Sequence, residues 1–181
     1  TTNGTCQTRH HYNITVNPLP KLLSNPLTIC KGDTITAITT SATQYVWQGI
    51  DIIQGNQQLL IAVPDMTTTY QVTITDAFGC QGFGNLDVKV INYPDVYVLN
   101  DTILCKDTAA SLHVEVANAD FFSWTQGGNR LDNPASLKPN INILESFVFG
   151  LEVRNGSCKR EVKIPVNFFN IPEGSASLEI C

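Results

Sequence analysis

The 181 residues carry 43% hydrophobic but only 15% charged side chains, so the chain can fill one large or two small cores, and its polarity comes from Thr, Asn and Gln rather than ion pairs. A formal charge of −5 and a pI near 5.0 exclude the basic surface that nucleic acid or an anionic membrane requires, and no apolar run approaches the roughly 20 residues of a bilayer span. The chain starts Thr1-Thr2 without an initiator methionine or a leader, which reads as a mature internal fragment.

Two interleaved cysteine series set the organisation. Cys6, Cys80 and Cys158 each follow a glycine-containing turn (Asn3-Gly4-Thr5, Ala77-Phe78-Gly79, Asn155-Gly156-Ser157), and Cys30, Cys105 and Cys181 form the second series. Both series repeat at about 75 residues, which implies one repeating unit. Apolar pairs keep the same phase behind the first series (Ile14 and Val16, Val88 and Val90, Val166 and Phe168), and a proline follows each pair (Pro20, Pro94, Pro172). The parse is therefore 1–19 as the last strand or two of an upstream unit, 20–93 and 94–171 as complete units, and 172–181 as the first strand of a further one.

In chain order, the first complete unit predicts strands over 21–29 (A), 34–41 (B), 44–48 (C), a weak strand near 50–53, then 58–63 (E), 69–75 (F) and 83–91 (G), with nothing helical. Ile35, Ala37 and Thr39 share one face of B while Thr34, Thr36 and Ile38 share the other; Tyr70, Val72 and Ile74 alternate with Gln71, Thr73 and Thr75 in F. One tryptophan per unit, Trp47 and Trp124, ends a short β-prone segment after the second-series cysteine. The fold class is all-β, tandem immunoglobulin-like β-sandwich domains, with Trp on strand C and Tyr70 opening strand F. In the second unit the F strand reads Phe147, Phe149, Leu151, so the tyrosine hydroxyl is absent there.

The runs Ile29-Cys30-Lys31-Gly32-Asp33-Thr34-Ile35, Tyr45-Val46-Trp47 and Thr67-Thr68-Thr69-Tyr70 through Gly79-Cys80 resemble the Ig-like and PKD-like repeats of giant secreted Bacteroidota proteins. Those proteins are exported by the type IX system and often carry a gliding-motility-associated C-terminal domain. The resemblance is looser in the second unit, where Cys105-Lys106-Asp107 lacks the glycine. It implies a repetitive extracellular cell-surface adhesin or fibre whose partners are neighbouring repeats of the same chain, and beyond them surface polysaccharide or other cell-surface proteins. It also implies O-glycosylation within Asp-Thr-Ile or Asp-Thr-Ala tripeptides, giving Thr34, Thr102 and Thr108 as candidates.

Other sites weigh less. Trp47 and Trp124 could form a sugar platform, but one aromatic per sandwich at strand C reads as core. His10, His11 and His113 lack a nucleophile and an orienting partner, so no catalytic site is expected. No Cys or His cluster has zinc spacing, and Asp51, Asp65, Asp76, Asp95 and Asp101 form no dense calcium motif; no cofactor is expected. The N-x-S/T tripeptides at Asn3, Asn13, Asn100 and Asn155 read as coincidence in a Thr- and Asn-rich bacterial chain. Six isolated cysteines, Cys6, Cys30, Cys80, Cys105, Cys158 and Cys181, suit disulfides in an oxidising compartment.

Their pairing follows from strand direction. Cys30 precedes strand B and Cys80 lies beyond strand F; B and F run the same way, which puts these two at opposite ends of a sandwich, roughly 30 Å apart. A disulfide needs Cα atoms within about 7 Å. In a head-to-tail array the turn before B of one unit meets the F–G turn of the next, which favours an inter-unit Cys30–Cys158 bridge over Cys30–Cys80 and Cys105–Cys158 and leaves the other four cysteines for units at or beyond the ends of the window. A rerouted strand A would return Cys30 to its own unit. The function expected is a structural and adhesive segment of a long surface protein; the alternatives are a carbohydrate-binding or linker module accessory to a polysaccharide-degrading enzyme, and a eukaryotic Ig-type receptor.

Overall fold

Period-two alternation turns into two facing sheets only where both faces of each strand find their medium. In the computed structural model, which describes residues 4, 10–99, 103–105, 110–143 and 145–169, the first unit forms β1 (Leu27–Cys30), β2 (Ile35–Ile38), β3 (Gln44–Gln48), β4 (Ile52–Gln54), β5 (Leu59–Ala62), β6 (Thr68–Thr75) and β7 (Gln81–Ile91). One sheet runs β1-β7-β6-β3 and the other β2-β5-β4. Ile35 and Leu60 of the second sheet share one core with Trp47, Tyr70, Ile74 and Leu86 of the first. The outward residues of β2 include Ile38, while Thr39 at its end is fully buried, its amide on Gln58 O. Trp47 is buried, with its Nε1 donating to Gln57 O at 3.2 Å.

The expected strand A over 21–29 is corrected: it is two pieces in two sheets. Leu22 bridges Thr39, and Leu23 N donates to Ile38 O at 2.9 Å; the chain then crosses, and β1 pairs in parallel with β7, Leu27 opposite Val88 and Cys30 opposite Ile91. Pro26 lies at the crossing, where its missing N–H and fixed φ interrupt a continuous ladder. Two glycines on β7 make room: a β-carbon on Gly82 would meet Pro20 O at 1.8 Å, and one on Gly84 would meet Leu22 Cβ at 2.6 Å.

The second unit repeats the plan with β8 (Asp95–Val98), β9 (Ile103–Cys105), β10 (Ala110–Ser111), β11 (Val114–Ala117), β12 (Phe121–Gln126), β13 (Asn140–Ile141), β14 (Phe147–Asn155) and β15 (Cys158–Phe169). The order β12-β14-β15-β9 mirrors that of the first unit, down to β9 pairing in parallel with β15. The opposing face is broken into the pairs β11-β8 and β10-β13, and its strand B is interrupted at Leu112 and His113. The first unit has nothing helical, as expected; the second adds a 3-10 turn, Gly128–Arg130, entered through Gly127 at φ 80°. Trp124 is buried against Phe149, edge to face at 6.2 Å, with its Nε1 on Ser136 O at 3.0 Å.

Each core draws on its own unit alone. Residues 10–19 carry no strand, and Tyr12, Ile14 and Val16 are exposed. Residues 172–181 lie outside the described residues.

The inter-unit junction as candidate functional site

The junction is built from two turns and a short linker. At the end of β1, Gly32 takes φ 88°, a left-handed conformation that glycine adopts at no steric cost. Asp33 closes that turn: its amide donates to Cys30 O at 3.0 Å, and its Oδ2 accepts Cys30 N at 3.2 Å. Lys31 N donates to Ile91 O at 2.8 Å, so the turn is tied to the last residue of β7. This is the work of the Cys-Lys-Gly-Asp run.

From the second unit comes the β14–β15 turn. Asn155 and Cys158 close the hairpin around Gly156, whose φ is 56° and whose amide donates to Asp120 Oδ2 at 2.8 Å. The Ile91 side chain lies against that turn, its Cδ1 3.4 Å from where a β-carbon on Gly156 would be. Asn155 donates its Nδ2 to Asn92 O at 3.0 Å, and the Tyr93 hydroxyl reaches Asp33 Oδ1 at 3.4 Å. Between the turns, Cys30 and Cys158 form a disulfide with their Cα atoms 5.6 Å apart across a sequence separation of 128. Both cysteines are buried, Cys158 completely.

With Cys158 bonded to Cys30, neither Cys30–Cys80 nor Cys105–Cys158 is formed. Cys80 is free and half-buried. It sits in the first unit where Cys158 sits in the second, after a turn in which Asp76 Oδ1 accepts the amides of Phe78 and Cys80 at 2.8 and 2.9 Å and Gly79 takes φ 81°. Cys105 ends β9 opposite Phe169 as Cys30 ends β1 opposite Ile91. Cys6 and Cys181 lie outside the described residues.

Of the glycan candidates, Thr34 is exposed on the turn entering β2 with Ile35 buried beside it; Thr102 and Thr108 lie outside the described residues. Asp51, Asp65, Asp76 and Asp95 do not converge, and among the described residues no group of three His, Cys, Asp or Glu could hold a metal ion. No helix among them is long and apolar enough to cross a membrane. Sequence reading missed the role of Asn155, taken there for a chance sequon, and of Asp33 and Tyr93. The glycines beside Cys30 and Cys158 were the available signal, since a tight turn at each sulfur is what lets two domain ends approach.

No family model and no curated protein matches the chain. Among solved structures it is similar to extracellular domains 3–5 of Drosophila OTK, with a TM-score of 0.53 and 11% identity over 83% of this chain and 62% of that one. It is also similar to the insect immune protein hemolin (TM-score 0.47, 13% identity, 90% of this chain and 49% of that one), and to immunoglobulin domains 1–4 of Sidekick-1 (0.44, 10%, 83% and 49%). The chain thus spans less than two thirds of the length of each. At 11% identity the likeness to the OTK domains is one of fold, and with the paired sheets of each unit it makes this chain a tandem of immunoglobulin-like β-sandwiches.

Proposed function

We propose that this chain is a stapled, load-bearing segment of a long extracellular adhesive array, of the kind its sequence resembles in secreted Bacteroidota surface proteins, type IX export and gliding filaments included. The carrying observation is the position of the disulfide. Cys30 ends the first strands of one unit and Cys158 opens the last strand of the next. Tension applied along the chain therefore passes from β1 through the sulfurs into β15 and bypasses residues 31–157, which hold β2 to β7 and most of the second unit. Such a bond belongs in an oxidising compartment, which supports an extracellular surface location.

The repeat extends the argument. Cys80 and Cys105 occupy the two halves of the same staple, so each serves a neighbouring copy of the unit, as do Cys6 and Cys181 at their own positions in the parse 1–19, 20–93, 94–171 and 172–181. The staple would then recur along the whole array, each bond spanning one junction.

Single-molecule force spectroscopy on the chain held by its two ends tests this. Under oxidising conditions extension stops short of the length stored in 31–157, on the order of 400 Å at full stretch; with a reductant present that length is released. Release of the full length without reductant would remove the load-bearing role.

A further inference from the structure

The outer face of the β1-β7-β6-β3 sheet in the first unit is a grid set by strand register. Gln48, Gln71 and Asn85 stand in one row across β3, β6 and β7; Val46, Thr73 and Phe83 stand in the next; Gln44, Thr75 and Gln81 stand in a third. None of the nine carries a charge. Phe83 is 72% exposed and Val46 42%, and the first two rows enclose a shallow open hollow floored by Val72 and Gly84. Among the described residues, no hydrogen bond within the protein engages the side-chain amides of Gln48, Gln71 or Asn85. The grid ends at the row below, where Thr69 already donates its hydroxyl to Asp87 at 2.7 Å.

The second unit shows that this is not what the fold requires. In the same register Glu161 stands where Phe83 does, Lys163 where Asn85 does and Lys159 where Gln81 does, while Glu152 and Arg154 replace Thr73 and Thr75. There the face satisfies itself: Glu152 pairs with Arg154 at 2.5 Å and with Lys159 at 3.7 Å, Lys159 pairs with Glu161 at 3.1 Å, and Arg154 stacks 5.5 Å above the Phe121 ring. One face is closed by ion pairs, and its counterpart presents amides and a bare ring to solvent.

We infer that the outer β3-β6-β7 face of the first unit is a binding site for a neutral polysaccharide, with Phe83 as stacking platform and Gln48, Gln71 and Asn85 as hydroxyl readers. This deepens the adhesive part of the function proposed above. The occupant follows from charge and group chemistry. Three rows without a cation offer nothing for phosphate, sulfate or uronate, and three rows without an anion offer nothing for a basic peptide; Asp87 in the next row is already bonded by Thr69, and Lys89 lies one row further along β7. A pyranose presents an apolar C–H face that an exposed ring covers, and equatorial hydroxyls that both donate to amide oxygens and accept from amide nitrogens. Rows of amides about 4.8 Å apart across the strands supply such pairs repeatedly along a chain of sugars, and a few placed polar groups around an apolar contact are the usual composition of a ligand site.

The test is affinity electrophoresis of the intact, disulfide-bonded chain in gels containing dextran, laminarin, xylan or galactomannan, with alginate as the acidic control. At least one neutral polysaccharide retards the protein and alginate does not; Phe83→Ala and the double variant Gln71→Ala/Asn85→Ala each weaken the apparent affinity tenfold or more with the melting temperature unchanged, since these positions are exposed. Absence of retardation by all four neutral polymers, retardation indifferent to Phe83→Ala, or equal retardation by alginate overturns the site. So does a Phe83-dependent dimer in sedimentation without any saccharide effect, which would make the face a contact for a second copy. None of these outcomes touches the staple, which is read separately by force and by reduction.

Discussion

The ring of Tyr70 occupies the space above Gly49: a β-carbon on that glycine would lie 2.3 Å from Tyr70 Cδ1, and the hydroxyl at the far end of the ring donates to Ile50 O at 2.9 Å. The second unit keeps the packing without the hydroxyl, since Gly127 leaves the same room for Phe149 and Phe147. The aromatic at this position of strand F is thus a wedge in both units and an anchored wedge in one.

A pH dependence follows from the anchor. Burial, with the negative charge of Asp51 adding to it, raises the Tyr70 hydroxyl above its ordinary value of 10.0. The folded state therefore resists ionisation that the unfolded chain accepts, so the contribution is fully present below about pH 10 and is lost as pH rises through the higher folded value. Urea unfolding of the first unit should give a stable midpoint from pH 7 to 9 that declines above 10. Tyr70→Phe should lose about 1 kcal/mol at neutral pH and show a weaker decline. An identical alkaline slope in Tyr70→Phe would assign the effect to other groups.

Trp47 is a buried member of the first core and bonds Gln57 O through its indole. Trp47→Ala should cost about 3–5 kcal/mol in the first unit, whereas Trp47→Phe retains much of the apolar area and loses mainly the indole bond, about 1–2 kcal/mol. The second unit has its own core around Trp124, so its transition should stay in place. Equal costs for the two variants would mean that packing area is not what Trp47 contributes.

How far the sequence carried varied with the physics at each element. Gln44–Gln48 was read to the residue because alternation was uninterrupted and turns bounded it on both sides. Strand A was misread because its two pieces look alike locally, and only the sheet each one joins tells them apart; Pro26 was the local clue. In the second unit Leu112 is buried although the strand breaks there, so an apolar residue facing the core does not by itself mark a continuous ladder. The cysteine phase located the staple, yet the residues that hold the turns together, Asp33 and Asn155, act through backbone groups that no side-chain pattern displays. The neutral face went unseen for a different reason: alternation was searched for what points inward, and the outward rows acquire meaning only once register places three strands side by side.

Thr34 sits exposed in Asp33-Thr34-Ile35 at the junction turn. Protein isolated from its native source should carry a hexose-type mass addition on the peptide containing Thr34, and the same peptide from a cytoplasmic expression host should be bare. Since the side chain of Thr34 forms no hydrogen bond with other described residues, Thr34→Ala should leave stability within about 0.5 kcal/mol. An unmodified native peptide would remove Thr34 from the candidates and leave Asp33 as a turn residue alone.

The staple itself is tested by removing both sulfurs. In Cys30→Ala/Cys158→Ala each unit retains its own core, because no residue of either core cluster comes from the other unit; both units should therefore unfold cooperatively, as in the parent. Loop closure over a separation of 128 would be worth about 4–5 kcal/mol if the whole loop unfolded as one, but here one unit can unfold while the other holds, so the loss per unit should be smaller. The larger change is in orientation. What remains at the junction among the described residues is the Asn155 to Asn92 hydrogen bond, the Tyr93 to Asp33 bond that ties the linker to the first unit's turn, the Ile91 contact with Gly156, and the linker with its buried Pro94, and a solvent-accessible hydrogen bond is worth about 1 kcal/mol. Small-angle scattering should then show a broadened distribution of end-to-end distances for the double variant and for reduced parent protein, and a narrow one for the oxidised parent. A narrow distribution in all three would place the rigidity of the junction in its non-covalent contacts and reduce the disulfide to a lock on geometry that already exists.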